Sequence, residues 1–258
     1  MKLLLRRDEP GADPAADIDA ELALLDAVLT DPARPILRLW QVKPCLVVTA
    51  LTAQKPGFAA AAAESATRGW PVVVRRTGGG PVPQIPGTRN LSLAFAVPRA
   101  AAPDIDTAFA QFADPLCAAL RGLSLTPEIG EVVGSCCPGR YDIAVAGRKF
   151  VGIAQRRRQG EHNGQLLTAV LVHAILWEDG DLAAGIDALE RFLAEAGLPT
   201  TFARDRMATL RELAGAGDDL GDDRGDDRGG DLGGNLGDFE AALVEAFTHR
   251  FSAPPVSV

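Results

Sequence analysis

The sequence lacks a C-x-x-C pair and every other cysteine or histidine spacing that a structural metal uses, so no metal is expected. Its four cysteines are Cys45, Cys117, Cys136 and Cys137. Adjacent cysteines do not bridge one another, which argues against a disulfide framework and suits a reducing, cytoplasmic setting. Histidine is scarce too: His162, His173 and His249 show no partner pattern, so a Cys-His-Asp triad has no basis, and His173 reads as a core or sheet residue. No apolar run reaches the length of a membrane span. Met1 to Arg7 has no signal-peptide core or cleavage site, and the Ala-rich stretch after Phe58 is short and broken by Glu64. A basic face is also missing. With 26 Lys and Arg against 34 Asp and Glu, the net charge is -8, which argues against a nucleic-acid partner.

At 258 residues the chain is long enough for one domain with a full core. Asp13-Pro14 fits an N-cap and first helical residue, and Ile18, Leu22, Leu25 and Leu29 follow at helical spacing, predicting a helix over 14–29. Strands are predicted at Ile36 to Trp40, Cys45 to Leu51, Val72 to Arg76, Asn90 to Val97 and Gln165 to Trp177. Further helices are expected over 57–68, 104–122, 181–196, 203–214 and 238–250, with Pro115 as a kink or break and Gly69 as a stop. Pro81 to Arg89 reads as a Pro/Gly loop. The tetrads of 217–237, Gly-Asp-Asp-Leu and its variants, cannot bury a core and lack the nine-residue period of a calcium-binding solenoid. Mixed elements with hairpin joins predict an α+β fold, mixed β-sheets with flanking helices.

The most informative stretch runs from Cys136 to Arg157. Cys136-Cys137-Pro138-Gly139 is a turn carrying a thiol. Tyr141, Ile143 and Val145 alternate with Asp142 and Ala144 as in a strand with one buried face, and Ala146-Gly147 forms a two-residue hairpin connection. Regular alternation on the return strand sets Lys149, Val151, Ile153 and Gln155 on one face and Phe150, Gly152 and Ala154 on the other. Small residues such as Gly152 and Ala154 fit where a ligand or backbone comes close. Upstream, Arg75-Arg76-Thr77-Gly78-Gly79-Gly80 is a Gly-rich turn without the Gly-Lys-Ser/Thr ending of a P-loop. Its glycines let backbone N–H groups approach a substrate and leave room for an acyl chain. Of Arg75 and Arg76, alternation points one inward.

Two of these stretches, in this order, resemble the lipoate/biotin protein ligase superfamily: Arg75 to Gly80 running on to Asn90-Leu91-Ser92-Leu93, and Tyr141-Asp142 through Gly147-Arg148-Lys149 to Gly152-Ile153-Ala154-Gln155-Arg156. Leu37-Arg38-Leu39-Trp40 and Ala208 to Leu213 extend the likeness over most of the chain. Within the superfamily, Ser135-Cys136-Cys137-Pro138-Gly139 is similar to the Ser-x-Cys-Pro-Gly of the octanoyl-[glycine cleavage H protein]:protein N-octanoyltransferases. The resemblance implies a biotin/lipoate ligase catalytic-domain fold over 14–216, between a flexible 1–13 and a C-terminal helix and tail over 238–258. It implies Cys137 as acyl acceptor and Lys149 at the acyl carbonyl, where a cation also raises a thiol's thiolate fraction. Substrate-binding positions follow at Arg75, Arg76, Gly78, Gly79, Gly80, Gly139, Gly152 and Gln155. The implied partners are the glycine cleavage H protein and the lipoyl domains of 2-oxoacid dehydrogenase complexes, with no cofactor.

The sequence departs from the superfamily where ligases place a His-Asp pair after the glycines: here stand Gln84-Ile85. That departure and the short tail count against the first alternative, an ATP-dependent lipoate ligase. An octanoyl-acyl carrier protein transferase and a non-catalytic paralogue that binds lipoylated domains or acyl chains are the others. Cys45 and Cys117, within apolar segments, read as small core residues, and Cys136 as a neighbour without a role.

Overall fold

The computed structural model describes residues 2–198, 200–215 and 232–252. Its strands are β1 (Leu4–Asp8), β2 (Ile36–Trp40), β3 (Cys45–Thr49), β4 (Val72–Arg75), β5 (Val82–Gln84), β6 (Thr88–Pro98), β7 (Pro127–Ile129), β8 (Ile143–Val145), β9 (Arg148–His162) and β10 (Gln165–Trp177). Its helices are α1 (Pro14–Thr30), α2 (Ala50–Ala53), α3 (Phe58–Thr67), α4 (Ile105–Gly122), α5 (Leu182–Glu195), α6 (Leu210–Gly215) and α7 (Leu232–Ser252). A seven-stranded sheet has the order β1-β2-β6-β10-β9-β8-β7, and a three-stranded sheet the order β4-β3-β5. Within the large sheet β1 and β2 run parallel, and β6, β10, β9 and β8 follow antiparallel.

Alternation along β10 shows how the layers are built. Val170, Val172, Ala174 and Leu176 face a core formed with Phe112 and Leu116 of α4 and Phe239, Leu243 and Phe247 of α7. On the other face, Ala169 and Leu171 meet Leu24, Leu25 and Val28 of α1, while Ile175 and Trp177 meet the small sheet and α5. A strand covered on both faces reads as a near-continuous apolar run, which is what β10 is. His173 falls between these two clusters, at the seam where α1 gives way to the small sheet. Asp13 caps α1 by accepting the Ala15 N–H at 2.9 Å, with Pro14 at the first helical position.

Several elements differ from the sequence expectation. β1 was missed because Leu-Leu-Arg-Arg-Asp does not alternate; it is held to β2 partly by Arg38, which donates to Asp8 at 2.6 Å. β5 lies inside the expected Pro/Gly loop. It is an edge strand, where Pro83 forfeits no ladder bond that the fold needs. α4 passes through Pro115 without a break, with Phe112, Leu116 and Leu120 buried on both sides of it. The strand starting at Cys45 stops at Thr49, and the last helix before the Gly-Asp tract starts only at Leu210. Residues 217–231 of that tract lie outside the described residues, while 232–237 form the first turns of α7.

The sharpest difference is in the central hairpin. Tyr141 is not in the strand; its ring stacks on Phe109 with centroids 4.6 Å apart. The two-residue turn is where expected, with Gly147 at φ 72°, and Ala146 also takes a positive φ, 51°. Pairing then slips by one residue: Ala144 opposes Lys149, but Ile143 opposes Val151. Phe150 is the extra residue of a β-bulge, and it joins Val151 in the α4/α7 core. A one-residue slip exchanges the faces of a strand. Lys149 therefore comes onto the side of Gly152 and Ala154, not that of Val151 and Ile153; a Cβ on Gly152 would lie 3.3 Å from its Nζ.

α7 buries three large side chains although a long polar tract precedes it. We expect Phe247→Ala, which empties space beside Phe112, to cost about 3–5 kcal/mol in urea unfolding. A loss below about 1 kcal/mol would mean that the helix is not docked there.

Candidate functional site

The bulge sends Lys149 into the interior, where its side chain is 0% exposed, and an ammonium there needs an acceptor for each proton. It has them. Nζ donates to the Cys136 carbonyl at 3.0 Å and the Cys137 carbonyl at 2.7 Å, and it pairs with Asp142 Oδ2 at 2.9 Å. The same Asp142 oxygen accepts the Gly139 N–H at 2.8 Å, and the Asp142 N–H returns to the Gly139 carbonyl at 3.1 Å. One lysine and one aspartate thus knot the turn from Cys136 to Asp142. Burial pushes the Asp142 carboxyl above the usual range, against the pull of Lys149. The sequence reading ordinarily allows a lysine just after a hairpin turn to be solvated; here it is among the most buried large side chains.

The turn separates two adjacent thiols. Cys136 is 0% exposed, its N–H donates to Met207 Sδ, and burial pushes its thiol up to about 12. Cys45 is likewise pushed up to about 12 by burial. Cys137 has a left-handed backbone, φ 48°, and is half-buried. Its sulfur lies against the Gly-rich loop: the Gly80 N–H donates to Sγ at 2.7 Å, and Arg75 Nη2 is 3.9 Å away. Arg75 Nη2 also donates to the Gly80 carbonyl at 2.8 Å. The glycines make this approach possible. A Cβ on Gly79, whose φ is 106°, would fall 2.4 Å from Arg75 Nη2 and 3.0 Å from Sγ, and one on Gly80 would crowd Cys137 at 3.2 Å.

Cys137, Gly79, Gly139, Lys149, Gly152 and Arg75 line a cavity of about 100 Å³ between α1, the large sheet and the small sheet. Gly79 is exposed at its rim. Inward, Ile18, Val47, Val82 and Ile175 form apolar walls over the small residues Gly152 and Ala154. Buried polar groups reach the same space. Gln84, at the position where ligases carry the histidine, exchanges amide hydrogen bonds with Asn90 at 2.9 and 3.1 Å, and Ile85 is buried in the core. Glu21 Oε1 accepts from Ser92 Oγ at 2.6 Å, and Oε2 lies 3.2 Å from His173 Nδ1. Burial works to raise the Glu21 carboxyl, but His173, Ser92 and Arg38 together hold it below the usual range.

The structure therefore brings together most of the positions singled out in the sequence but not all. Arg76 is exposed and does not line the cavity; its carbonyl accepts from Arg156. Gly78 is exposed with open space around it. Gln155 lies off the cavity and donates to the Ile105 carbonyl at 2.9 Å. Asp142 and Glu21 were missed; His173 is the buried sheet residue expected, and it also lines the cavity. Asp142 alternates with Tyr141 and Ile143 and so passes for a solvent-facing residue; its neighbour Gly139 was the available signal. Among the described residues no group of three or more His, Cys, Asp or Glu is gathered as a metal site, and no helix is long and apolar enough to cross a membrane.

Lys149→Met leaves a buried carboxylate without its cation, and we expect it to cost about 3–5 kcal/mol in urea unfolding. Adding Asp142→Asn removes the stranded charge and should recover part of that loss. A double variant no more stable than the single one would contradict the pairing.

A family model for the lipoyl protein ligase A/B catalytic domain matches residues 13–222. A protein of Geobacillus kaustophilus called octanoyl-[GcvH]:protein N-octanoyltransferase is 31% identical over 219 residues, 81% of this chain and 74% of its own length. An uncharacterized protein of Cupriavidus necator is 36% identical over 176 residues, 65% of this chain and 68% of its own. A crystal structure of lipoate-protein ligase A bound with ATP has a TM-score of 0.67 at 19% identity, covering 98% of this chain and 86% of that one. At that identity the likeness concerns the fold, which is the α+β arrangement of mixed sheets and flanking helices expected from the sequence.

Proposed function

Because the chain belongs to the lipoyl protein ligase A/B catalytic-domain family, we propose that it is an acyltransferase of protein lipoylation. In this reading it moves an octanoyl group from the lysine of the glycine cleavage H protein, GcvH, to the lysine of a lipoyl domain, through an acyl-thioester on Cys137. The observation that carries the reading is the contrast among the cysteines: Cys45, Cys117 and Cys136 are buried, while Cys137 stands half-buried at a cavity with apolar walls.

The chemistry proceeds in two displacements. Cys137 sulfur attacks the octanoyl-lysine carbonyl, the C–S bond forms, and the carbonyl oxygen takes the negative charge. The C–N bond then breaks, and the departing lysine amine takes up a proton. In the second half the amine of the acceptor lysine attacks the thioester, C–N forms, C–S breaks, and the proton lost by that amine balances the one gained by the first. An amide is consumed and an amide is made, so the exchange is near balance and needs no nucleotide. Forming a thioester from an amide is uphill, and the protein must lower that step by geometry. Lys149 does so by fixing the carbonyls of Cys136 and Cys137, which presents the sulfur to the cavity. The floor of Gly152 and Ala154 leaves room for an alkyl chain beside it.

Intact-mass analysis after mixing with octanoyl-H protein tests this directly. Wild type and Cys136→Ser should each gain one octanoyl group, and Cys137→Ser none. An adduct on Cys137→Ser would reassign the nucleophile. No adduct on wild type, with modification of an apo lipoyl domain only on addition of lipoate and ATP, would replace the transferase by a ligase.

A further inference from the structure

We propose that Arg75, not Lys149, is the cation that stabilises negative charge on the Cys137 sulfur, with the Gly80 N–H sharing that charge. This rests on the reading of Cys137 as nucleophile and goes beyond it by dividing labour between two cations. Lys149 has three protons, and the Cys136 carbonyl, the Cys137 carbonyl and Asp142 take all three. Its charge is matched by the Asp142 carboxylate, with side chains 0% and 2% exposed, so the pair offers the sulfur a dipole rather than a net charge. Arg75 is placed differently. Its Nη2 carries two protons; one goes to the Gly80 carbonyl at 2.8 Å, and the other faces Sγ at 3.9 Å. Among the described residues no carboxylate pairs with Arg75, and its Nε is buried without a partner. An arginine free of acid beside a thiol raises the thiolate fraction, and a backbone N–H aimed at the sulfur does the same.

Gly80 links the two contacts, since its carbonyl anchors Arg75 while its N–H reaches Sγ at 2.7 Å. β4 ends at Arg75, so a strand fixes the guanidinium and the Gly-rich loop folds back over it. In the two displacements written above, sulfur begins as a thiolate, loses its charge when the C–S bond forms, and regains it when the acceptor amine expels it. Arg75 serves the first and last of these states, and no proton moves to or from it.

The test is the rate at which iodoacetamide alkylates Cys137, read from the mass of the peptide containing it, near neutral pH and again in alkali. Arg75→Gln should react about tenfold more slowly near neutral pH, and Arg75→Lys should stay within a few-fold of wild type. In alkali, where thiols ionise unaided, the three rates should converge. A wild-type rate for Arg75→Gln near neutral pH overturns the proposal. So does a deficit that persists in alkali, which would mean that the substitution has shut the sulfur in. The octanoyl-H protein reaction keeps the two claims apart: if wild type forms no octanoyl adduct, the nucleophile reading fails, whereas an adduct together with unimpaired alkylation of Arg75→Gln removes only Arg75.

Discussion

An ammonium group deprived of water has to place every proton on an acceptor, and the Lys149 ammonium is the point on which the middle of this protein depends. Its three acceptors belong to one seven-residue turn, so satisfying the charge and shaping the turn are the same event. The bulge at Phe150 is the backbone's contribution, since a regular strand would aim Lys149 into the α4/α7 core. The loop before α6 holds the arrangement from outside: the Ala208 N–H donates to the Lys149 carbonyl at 2.9 Å, and Met207 receives the Cys136 N–H. Removing any one of these leaves a buried polar group stranded, which makes the unit cooperative.

Around that knot the two neighbouring cysteines acquire opposite characters without any difference in their covalent chemistry. The residue whose side chain turns inward is desolvated and inert, and the one in the left-handed conformation meets the Gly-rich loop. A left-handed φ on a non-glycine residue carries strain, and strain of this kind persists only where surrounding contacts over-determine it. The contacts are visible here: the carbonyl of Cys137 is fixed by Lys149 on one side and its sulfur by Gly80 on the other. Two of the three glycines answer to this closeness: a Cβ at Gly79 would meet Arg75 and the sulfur, and one at Gly80 would crowd Cys137, whereas Gly78 has open space.

Much of this was legible in the amino-acid order. The period of α1, its Asp13-Pro14 start, the apolar run of β10 and the two-residue turn at Ala146-Gly147 all follow from local rules and recur in the structure. Tertiary decisions were not legible. The alternation rule put Lys149 beside Val151 because a bulge has no signature in Gly-Arg-Lys-Phe-Val. β5 hid among prolines because only its place at a sheet edge makes them harmless. Asp142 looked like the polar half of an alternating strand, and nothing in the spacing of α1 singles out Glu21. Their partners, Lys149 and His173, come from other elements, and pairs of that kind are invisible to any reading that moves along the chain. Resemblance to a family supplied the cysteine and offered Lys149 as the cation beside it; the acceptors that take up all three Lys149 protons appear only in the structure.

The last helix has an implication for how the chain is made. The α4 side of the large sheet is closed by Phe239, Leu243 and Phe247. During synthesis from the N-terminus, that apolar surface is already assembled, or ready to assemble, before its cover has left the ribosome. The nascent domain therefore passes through an interval with a sticky, uncovered flank, in which chaperone capture and aggregation compete with completion.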